Sequence, residues 1–214
     1  MDLKNVLIFG DSYSTFKGYI PEGYAVYYSE NYREETDVRN VAETWWHQLF
    51  SEIKSSLILN NSWSGSTICY TGYNNTDCSE TSSFICRLDK LIKADFFKNN
   101  DINTVFVFGG TNDSWANSPI GELKYSDWQK QDLYSVLPAV CFFINRLKEV
   151  LPNANIVFII NCDLKDEITQ GIKSACEHYN IQQIQLKNID KRCGHPTVKG
   201  MAEIKNQISD NLNR

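Results

Sequence analysis

The chain has 214 residues, of which 42% are hydrophobic and 22% charged, and its formal net charge is −5. This length and composition fit one globular domain over residues 1–214, with enough apolar residues for a buried core. The acidic balance and the lack of a dense basic run argue against nucleic acid or an anionic membrane surface as the main partner. The composition does not indicate an oligomeric state.

The cysteines and the start of the chain bear on its compartment. Seven cysteines, an odd number without a C-x-x-C pair, are typical of reduced and mostly buried thiols. The start, MDLKNVLIFGDSYS, does not resemble a signal peptide, because its apolar run is short and leads directly into a turn. No apolar run approaches the ~20 residues of a membrane span. We therefore expect a cytoplasmic protein without a membrane partner.

Five short runs rich in β-branched and aromatic residues recur at wide intervals and are predicted to be strands. The first, third and fourth are almost continuously apolar, as expected for strands that are covered on both faces. The runs are NVLIFG (5–10), SLILNNS (56–62), TVFVFGG (104–110), NIVFII (155–160) and IQQIQL (181–186).

Helical patterns lie between these runs, over residues 41–55, 84–97 and 136–151, and a last helix is predicted over 197–212. The regular alternation of strand and helix is typical of a parallel sheet sandwiched between two layers of helices, with right-handed crossovers. The sequence thus predicts an α/β fold with a five-stranded parallel sheet.

A tyrosine-rich segment at about 15–40 interrupts this alternation, because it has no helical period. A loop of this length in a compact domain is usually functional. Its tyrosines suit the wall of a pocket, and they equally suit a surface loop that is packed by its own aromatic rings.

Polar residues collect directly after the first, second, third and fifth predicted strands. In a parallel sheet of this kind, ligands bind outside the carboxyl ends of the strands. We therefore expect four stretches that are distant in sequence to meet at one edge of the sheet. They are FGDSYS (9–14), NNSWSGST (60–67), FGGTNDSW (108–115) and NIDKRCGHPTVKGM (188–201).

Each stretch holds one residue type that acyl-transfer chemistry needs. Ser12 offers a hydroxyl on a tight turn, Gly65 offers a backbone N–H that a ligand can approach, and Asn112 offers an amide donor. Taken singly, these residues equally fit a helix cap and turn positions. Together with His195 they supply a nucleophile, a base and donors for a developing oxyanion.

This arrangement resembles the SGNH (GDSL-type) hydrolase family, which is named after Ser, Gly, Asn and His in four sequence blocks. The resemblance spans nearly the whole chain, in the order of the family. It implies a flavodoxin-like, three-layer α/β/α fold and a serine esterase or acylhydrolase that needs no cofactor or metal. The matching stretches are GDSYS (10–14), NNSWSGST (60–67), GTND (110–113) and HPTVKG (195–200).

The resemblance also assigns roles to individual residues. Ser12 would be the nucleophile and His195 the general base. The backbone N–H groups of Ser12 and Gly65, together with the side chain of Asn112, would form the oxyanion hole. Asp11 would have a structural role, shaping the turn, and Asp113 would likewise be structural, bonding loop amides.

Two positions depart from the family pattern. The second block commonly has a glycine where this chain has Ser62, which alters the loop only slightly. The departure in the fourth block is more serious. An aspartate usually lies three residues before the histidine, and Arg192 occupies that position here. An arginine cannot accept a hydrogen bond from the imidazole. We expect Asp190, five residues before the histidine, to reach the ring through a small bulge at Gly194. Otherwise the ring would bond a backbone carbonyl, which would leave a Ser12–His195 dyad.

The family resemblance suggests a carbohydrate or small-molecule acyl or acetyl ester as substrate. Tyr13, Trp63 and Trp115 could stack against a sugar, and they equally suit the core. Two alternatives to an esterase stay open: a catalytically silent carbohydrate-binding relative, because of the missing aspartate, and a flavodoxin-like FMN carrier. No His, Cys or carboxylate cluster has the spacing of metal ligands.

Overall fold

The computed structural model describes residues 3–212, and its centre is a five-stranded parallel sheet. The strands are β1 (Val6–Gly10), β2 (Leu57–Ser62), β3 (Thr104–Gly109), β4 (Asn155–Ile160) and β5 (Gln182–Gln185). They follow the order β2-β1-β3-β4-β5, and all four pairings are parallel. This is the flavodoxin-like order. The predicted strands are confirmed, each to within one residue at either end.

Helices cover both faces of the sheet, which confirms the predicted α/β/α sandwich. They are α1 (Trp45–Ile53), α2 (Phe84–Lys93), α3 (Phe96–Asn99), α4 (Thr111–Trp115), α5 (Val136–Val150), α6 (Asp166–His178) and α7 (Val198–Leu212). Helices α1 and α7 pack on one face, and α2, α5 and α6 pack on the other. None of the helices within residues 3–212 is long and apolar enough to cross a membrane.

Strand β1 shows why these sequences form a sheet between two helical layers. All five of its residues are buried. Val6 and Ile8 join the core on the α1 and α7 side, whereas Leu7 and Phe9 join the core on the other side. Successive side chains of a strand point to opposite faces, so a strand buried on both faces needs a continuous apolar run. Burial of each such side chain contributes roughly 1.5–3 kcal/mol.

Two predicted helices have different boundaries in the structure. The segment predicted at 41–55 begins with a 3-10 turn, Val41–Glu43, and α1 starts only after Thr44, whose hydroxyl accepts the N–H of His47. The segment predicted at 84–97 divides into α2 and α3, because Asp95 adopts a left-handed φ of 53°. A residue in that conformation ends a right-handed helix.

The tyrosine-rich segment has no long regular element, but it is anchored to the core. Phe16, Tyr28 and Val38 are buried on the α1 and α7 side of the sheet. The Asp37 carboxylate accepts the N–H of Val198 at 2.9 Å and so caps the start of α7. This segment is therefore attached to the part of the chain that carries the histidine block.

A short antiparallel hairpin follows β5, where the sequence predicted only a bulge. Its strands are β6 (Lys191–Arg192) and β7 (His195–Pro196), joined by Cys193 and Gly194. Both turn residues have positive φ, 48° and 79°. Positive φ at both central residues is the geometry of a type I′ turn, which matches the twist of a two-residue hairpin. The hairpin brings His195 to the carboxyl edge of the sheet.

Candidate active site

Ser12 begins a short 3-10 turn, Ser12–Ser14, directly after β1. The buried Asp11 carboxylate accepts the N–H of Tyr13 at 3.0 Å and holds this turn in place. The Ser12 Oγ lies 3.0 Å from the Nε2 of His195, a residue 183 positions further along the chain. The structure thus brings together the predicted nucleophile and the predicted base.

The second imidazole nitrogen fixes the tautomer of His195. Its Nδ1 lies 3.2 Å from the backbone carbonyl oxygen of Cys193. A carbonyl oxygen can only accept a hydrogen bond, so the proton of the neutral ring must be on Nδ1. The Nε2 lone pair then faces the Ser12 hydroxyl, as a general base requires.

The predicted contact between Asp190 and the imidazole is wrong. The Asp190 carboxylate is exposed and accepts the hydroxyl of Thr197, while its backbone carbonyl accepts the N–H of the same threonine. The type I′ turn places Arg192, not Asp190, opposite His195. Asp190 therefore lies at the base of the hairpin, and the alternative of a Ser12–His195 dyad with a carbonyl partner is the arrangement found.

Asn112 lies in α4, directly after β3, with its side chain buried. The side-chain Nδ2 donates to the carbonyl oxygen of Ser66 at 3.0 Å, and Oδ1 accepts the hydroxyl of Tyr73 at 2.8 Å. These two contacts fix the orientation of the amide and leave its second N–H free within the described residues. Tyr73 gave no signal in the sequence that could have identified it.

Two backbone N–H groups complete the predicted oxyanion hole. Those of Ser12 and Gly65 have no acceptor within residues 3–212. Gly65 is exposed and has a φ of 80°, a conformation that favours glycine. Its loop is joined to the segment that carries Ser12, because the N–H of Trp63 donates to the Gly10 carbonyl at 3.1 Å. The unpaired donors are thus available to a ligand oxygen.

A buried arginine supports this edge of the sheet. Arg87 donates to the carbonyl oxygens of Gly10, at 3.2 Å, and Asn61, and to the Ser66 hydroxyl at 3.1 Å. No carboxylate pairs with it in the described part of the chain, and burial lowers the pKa of its guanidinium to about 10. Arg87 therefore joins the ends of β1 and β2 to the glycine loop, and sequence reasoning missed it.

Asp113 supports the same loops from the β3 side. Its carboxylate accepts the N–H groups of Ile68, at 2.9 Å, and Cys69, at 3.1 Å. Burial raises the pKa of Asp113, and it raises the pKa of Asp11 to about 7. These contacts match the structural roles predicted for both aspartates.

The surroundings of His195 oppose its protonation. Burial lowers the pKa of the imidazole below its ordinary value of 6.5, and the nearby cations Arg33 and Lys191 lower it further. The carbonyl of Cys193 acts in the opposite direction. Within the described residues no carboxylate acts on the imidazole itself, in contrast to an Asp–His pair, although Glu35 and Asp163 pair with the two cations.

The three predicted substrate-binding aromatics have different environments. The prediction is wrong for Tyr13, which is fully buried and donates its hydroxyl to the carbonyl of Gly194. Trp63 is partly exposed and lies against Tyr24, with ring centroids 4.3 Å apart. Trp115 is 38% exposed, and its ring lies edge-on to the His195 ring with the two centroids 5.7 Å apart. Trp63 and Trp115 therefore stay candidates for substrate contact.

The side chains that could bind a metal ion are dispersed over the described structure. Within residues 3–212, no group of three or more His, Cys, Asp or Glu side chains is arranged to hold a metal ion. All seven cysteines are free thiols, and five of them are buried, as predicted.

Comparison with known proteins places this geometry in a family. The family model of GDSL-like lipases and acylhydrolases matches residues 4–212. The chain belongs to this family. This membership confirms the resemblance drawn from the four sequence blocks. A search of curated protein sequences gave no significant match.

Solved structures of GDSL-like proteins agree with the assignment. A protein from Bacteroides ovatus ATCC 8483, named for its likeness to GDSL lipases, is 43% identical over 100% of this chain and 99% of its own, with a TM-score of 0.92. A similarly named protein from Bacteroides uniformis ATCC 8492 is 42% identical over 98% and 96%, with a TM-score of 0.90. An acetyl xylan esterase from Butyrivibrio proteoclasticus shares the fold, at 17% identity and a TM-score of 0.62, over 98% of this chain and 63% of its own.

Proposed function

We propose that this GDSL-like protein is a serine-dependent ester hydrolase that works through an acyl-enzyme. The observation that carries the proposal is the 3.0 Å hydrogen bond between Ser12 Oγ and His195 Nε2. The free N–H groups of Ser12, Gly65 and Asn112 add the donors that a tetrahedral intermediate needs.

The reaction follows from the positions of these groups. Ser12 Oγ attacks the acyl carbon while His195 Nε2 takes the hydroxyl proton. The negative charge on the former carbonyl oxygen is stabilised by the free donors of Gly65 and Asn112. His195 then gives its proton to the leaving alcohol, and a water molecule activated by the same nitrogen hydrolyses the acyl-enzyme.

The proposed substrate is a small acyl group, such as acetyl, carried by a carbohydrate or another small molecule. Partly exposed Trp63 and Trp115 flank the site and offer faces or edges on which a sugar ring could pack. Among the structures that share the fold, one is an acetyl xylan esterase and another is a family two carbohydrate esterase from Clostridium thermocellum in complex with cellohexaose. These likenesses motivate acetylated glycans as the first substrates to test.

A second candidate is a relative that binds carbohydrate without turnover. It is favoured by one observation, which is that His195 bonds a neutral carbonyl rather than a carboxylate. Loss of the carboxylate costs about 10⁴-fold in the chymotrypsin-type triad. The two candidates differ in whether the Ser12–His195 dyad, without a carboxylate, still has measurable esterase activity.

A fluorophosphonate probe tests the proposal directly, because only an activated serine reacts with it. We expect the wild-type protein to be labelled at Ser12, as shown by mass mapping of the modified peptide. We also expect hydrolysis of p-nitrophenyl acetate to fall on the order of 10⁴-fold or more in Ser12→Ala and His195→Ala.

Ser126→Ala is the matched control, because this serine is exposed and bonds only its neighbour Asp127. It should keep wild-type turnover and labelling. A wild-type protein that neither reacts with the probe nor hydrolyses short esters, but binds xylan-type oligosaccharides, would establish the silent relative instead.

A further inference from the structure

The imidazole of His195 lies flat against an aromatic ring from the tyrosine-rich segment. The ring centroids of Tyr27 and His195 are 3.6 Å apart, and the two planes differ by only 9°. Tyr13 and Trp115 also approach the imidazole. Their ring centroids are 5.5 and 5.7 Å from that of His195, with tilted and edge-on geometry respectively. Tyr27 is thus the ring in face-to-face contact with the base.

Tyr27 is itself held in place by three contacts. Its N–H donates to the Thr15 hydroxyl at 2.9 Å, and its carbonyl oxygen accepts from Arg33 Nη1 at 2.8 Å. The Arg33 guanidinium lies 4.7 Å from the Tyr27 ring centroid. Because His195 covers one face of this ring, the guanidinium must lie on the other. The Tyr27 hydroxyl has no hydrogen-bond partner in the described residues. The contact between Tyr27 and His195 is therefore made by the aromatic ring alone.

The two hydrogen bonds of His195 are made by ring nitrogens whose N–H and lone pair lie in the plane of the imidazole, so they restrain the ring mainly within that plane. The contacts are Nε2 with Ser12 Oγ and Nδ1 with the Cys193 carbonyl. A ring restrained in this way can still tilt about the line that joins these partners. A parallel stack restrains this tilt, because tilting would break the face-to-face contact.

We propose that Tyr27 is a positioning residue that takes over the orienting role of the missing triad carboxylate, keeping His195 Nε2 aimed at Ser12 Oγ. The proposal rests on the proposed function, in which His195 acts as the base. It also assigns a purpose to the tyrosine-rich segment, which supports the base rather than only forming a wall of the pocket.

The charges around the stack agree with a positioning role. Among the described residues, the charged groups that act on His195 are the cations Arg33 and Lys191, and the rings around it are those of Tyr13, Tyr27 and Trp115. Neither cation stabilises an imidazolium. Tyr27 therefore orients the imidazole, as a triad carboxylate would, but it does not stabilise the positive charge of an imidazolium.

Replacement of Tyr27 by Phe and by Leu separates the ring from the hydroxyl. With p-nitrophenyl acetate, we expect Tyr27→Phe to keep kcat within about twofold, and Tyr27→Leu to lower kcat about 10- to 100-fold with little change in KM, because misplacement of a catalytic group by about 1 Å can cost 10²-fold. Tyr32→Leu is the control, since Tyr32 lies in the same segment and is 72% exposed. It should keep the wild-type kcat.

An NMR titration of His195 gives a readout that does not depend on turnover. The chain has three histidines, so the assignment of the ring signals is simple. Burial holds the pKa of His195 down, and loss of the covering ring in Tyr27→Leu should raise it, whereas Tyr27→Phe should not. If Tyr27→Leu does not fold, Tyr27→Met provides the second variant that lacks a ring.

The outcomes distinguish this proposal from the proposed function. Equal kcat values and equal His195 titrations in the Phe and Leu variants would overturn the role of Tyr27 while the esterase assignment stands. A protein without esterase activity whose His195 titration still differs between these variants would overturn the function but not the stack.

Discussion

The proposed nucleophile and oxyanion donors lie at the ends of β1, β2 and β3, whereas the proposed base lies on a hairpin beyond the end of β5. The first half of the site is held by buried polar contacts, with Arg87 and Asp113 joining the loops at the sheet edge. The second half is held by a backbone carbonyl and by aromatic rings, among them Tyr27.

This difference has a physical cause. Adjacent parallel strands end at one edge, so short loops after them are close to one another before any side chain acts. A hairpin outside the sheet has no such neighbour and needs contacts from elsewhere in the chain. Tyr28 and Asp37 of the tyrosine-rich segment supply two of them, to Pro196 and Val198. The oxyanion half is therefore a property of the sheet, and the histidine half depends on the segment that surrounds it.

Apart from Ser12 and His195 themselves, the largest effect is expected from damage to the proposed oxyanion half. Asn112→Ala removes the amide donor and should lower kcat by about 10²–10³-fold, as for a single oxyanion-hole donor elsewhere. KM for p-nitrophenyl acetate should change much less, because the oxyanion forms only after attack. A variant with unchanged kcat and raised KM would place Asn112 in substrate binding instead.

A smaller effect is expected from the tyrosine that orients this amide. Tyr73→Phe removes the hydroxyl that donates to Asn112 Oδ1. The loss of one neutral hydrogen bond, about 1 kcal/mol, corresponds to about a fivefold fall in kcat. The double variant with Asn112→Ala should show no further loss. Independent, multiplying effects in the two variants would contradict the contact.

The histidine half can be tested through its pH dependence. His195 must be neutral to take the Ser12 proton, and burial with two nearby cations holds its pKa below the ordinary value of 6.5. Activity should therefore be full above this lowered pKa and fall as the pH drops through it. A pH profile of kcat/KM, which reports the free enzyme, should reach half its maximum below pH 6.5. A midpoint above that value would indicate a carboxylate partner.

The smallest effect on kcat is expected at Asp190, although loss of the carboxylate in a catalytic triad would have one of the largest effects. Asp190→Asn should change kcat less than about twofold, since this side chain bonds Thr197 and not the imidazole, whereas loss of a triad carboxylate costs about 10⁴-fold. The variant should also leave the acid limb of the pH profile in place. A fall of several hundredfold would restore Asp190 as the partner of the ring.

The amino-acid sequence by itself determined the fold and the placement of the residues that form the proposed oxyanion half of the site. Continuous apolar runs and helical periods depend on local spacing alone, so they located the five strands and the sandwich. The family blocks identified Ser12, Gly65, Asn112 and His195, and parallel strands bring their loops together without further information.

Only the tertiary structure decided how the imidazole is held. The positive φ of Cys193 and Gly194 closes a hairpin that keeps Asp190 away from His195, where the sequence indicated only a small bulge at Gly194. The contacts of Tyr27 and Tyr73 join residues 168 and 39 positions apart in the chain. Such pairings have no local signature, because they depend on how a long irregular segment packs rather than on its own sequence spacing.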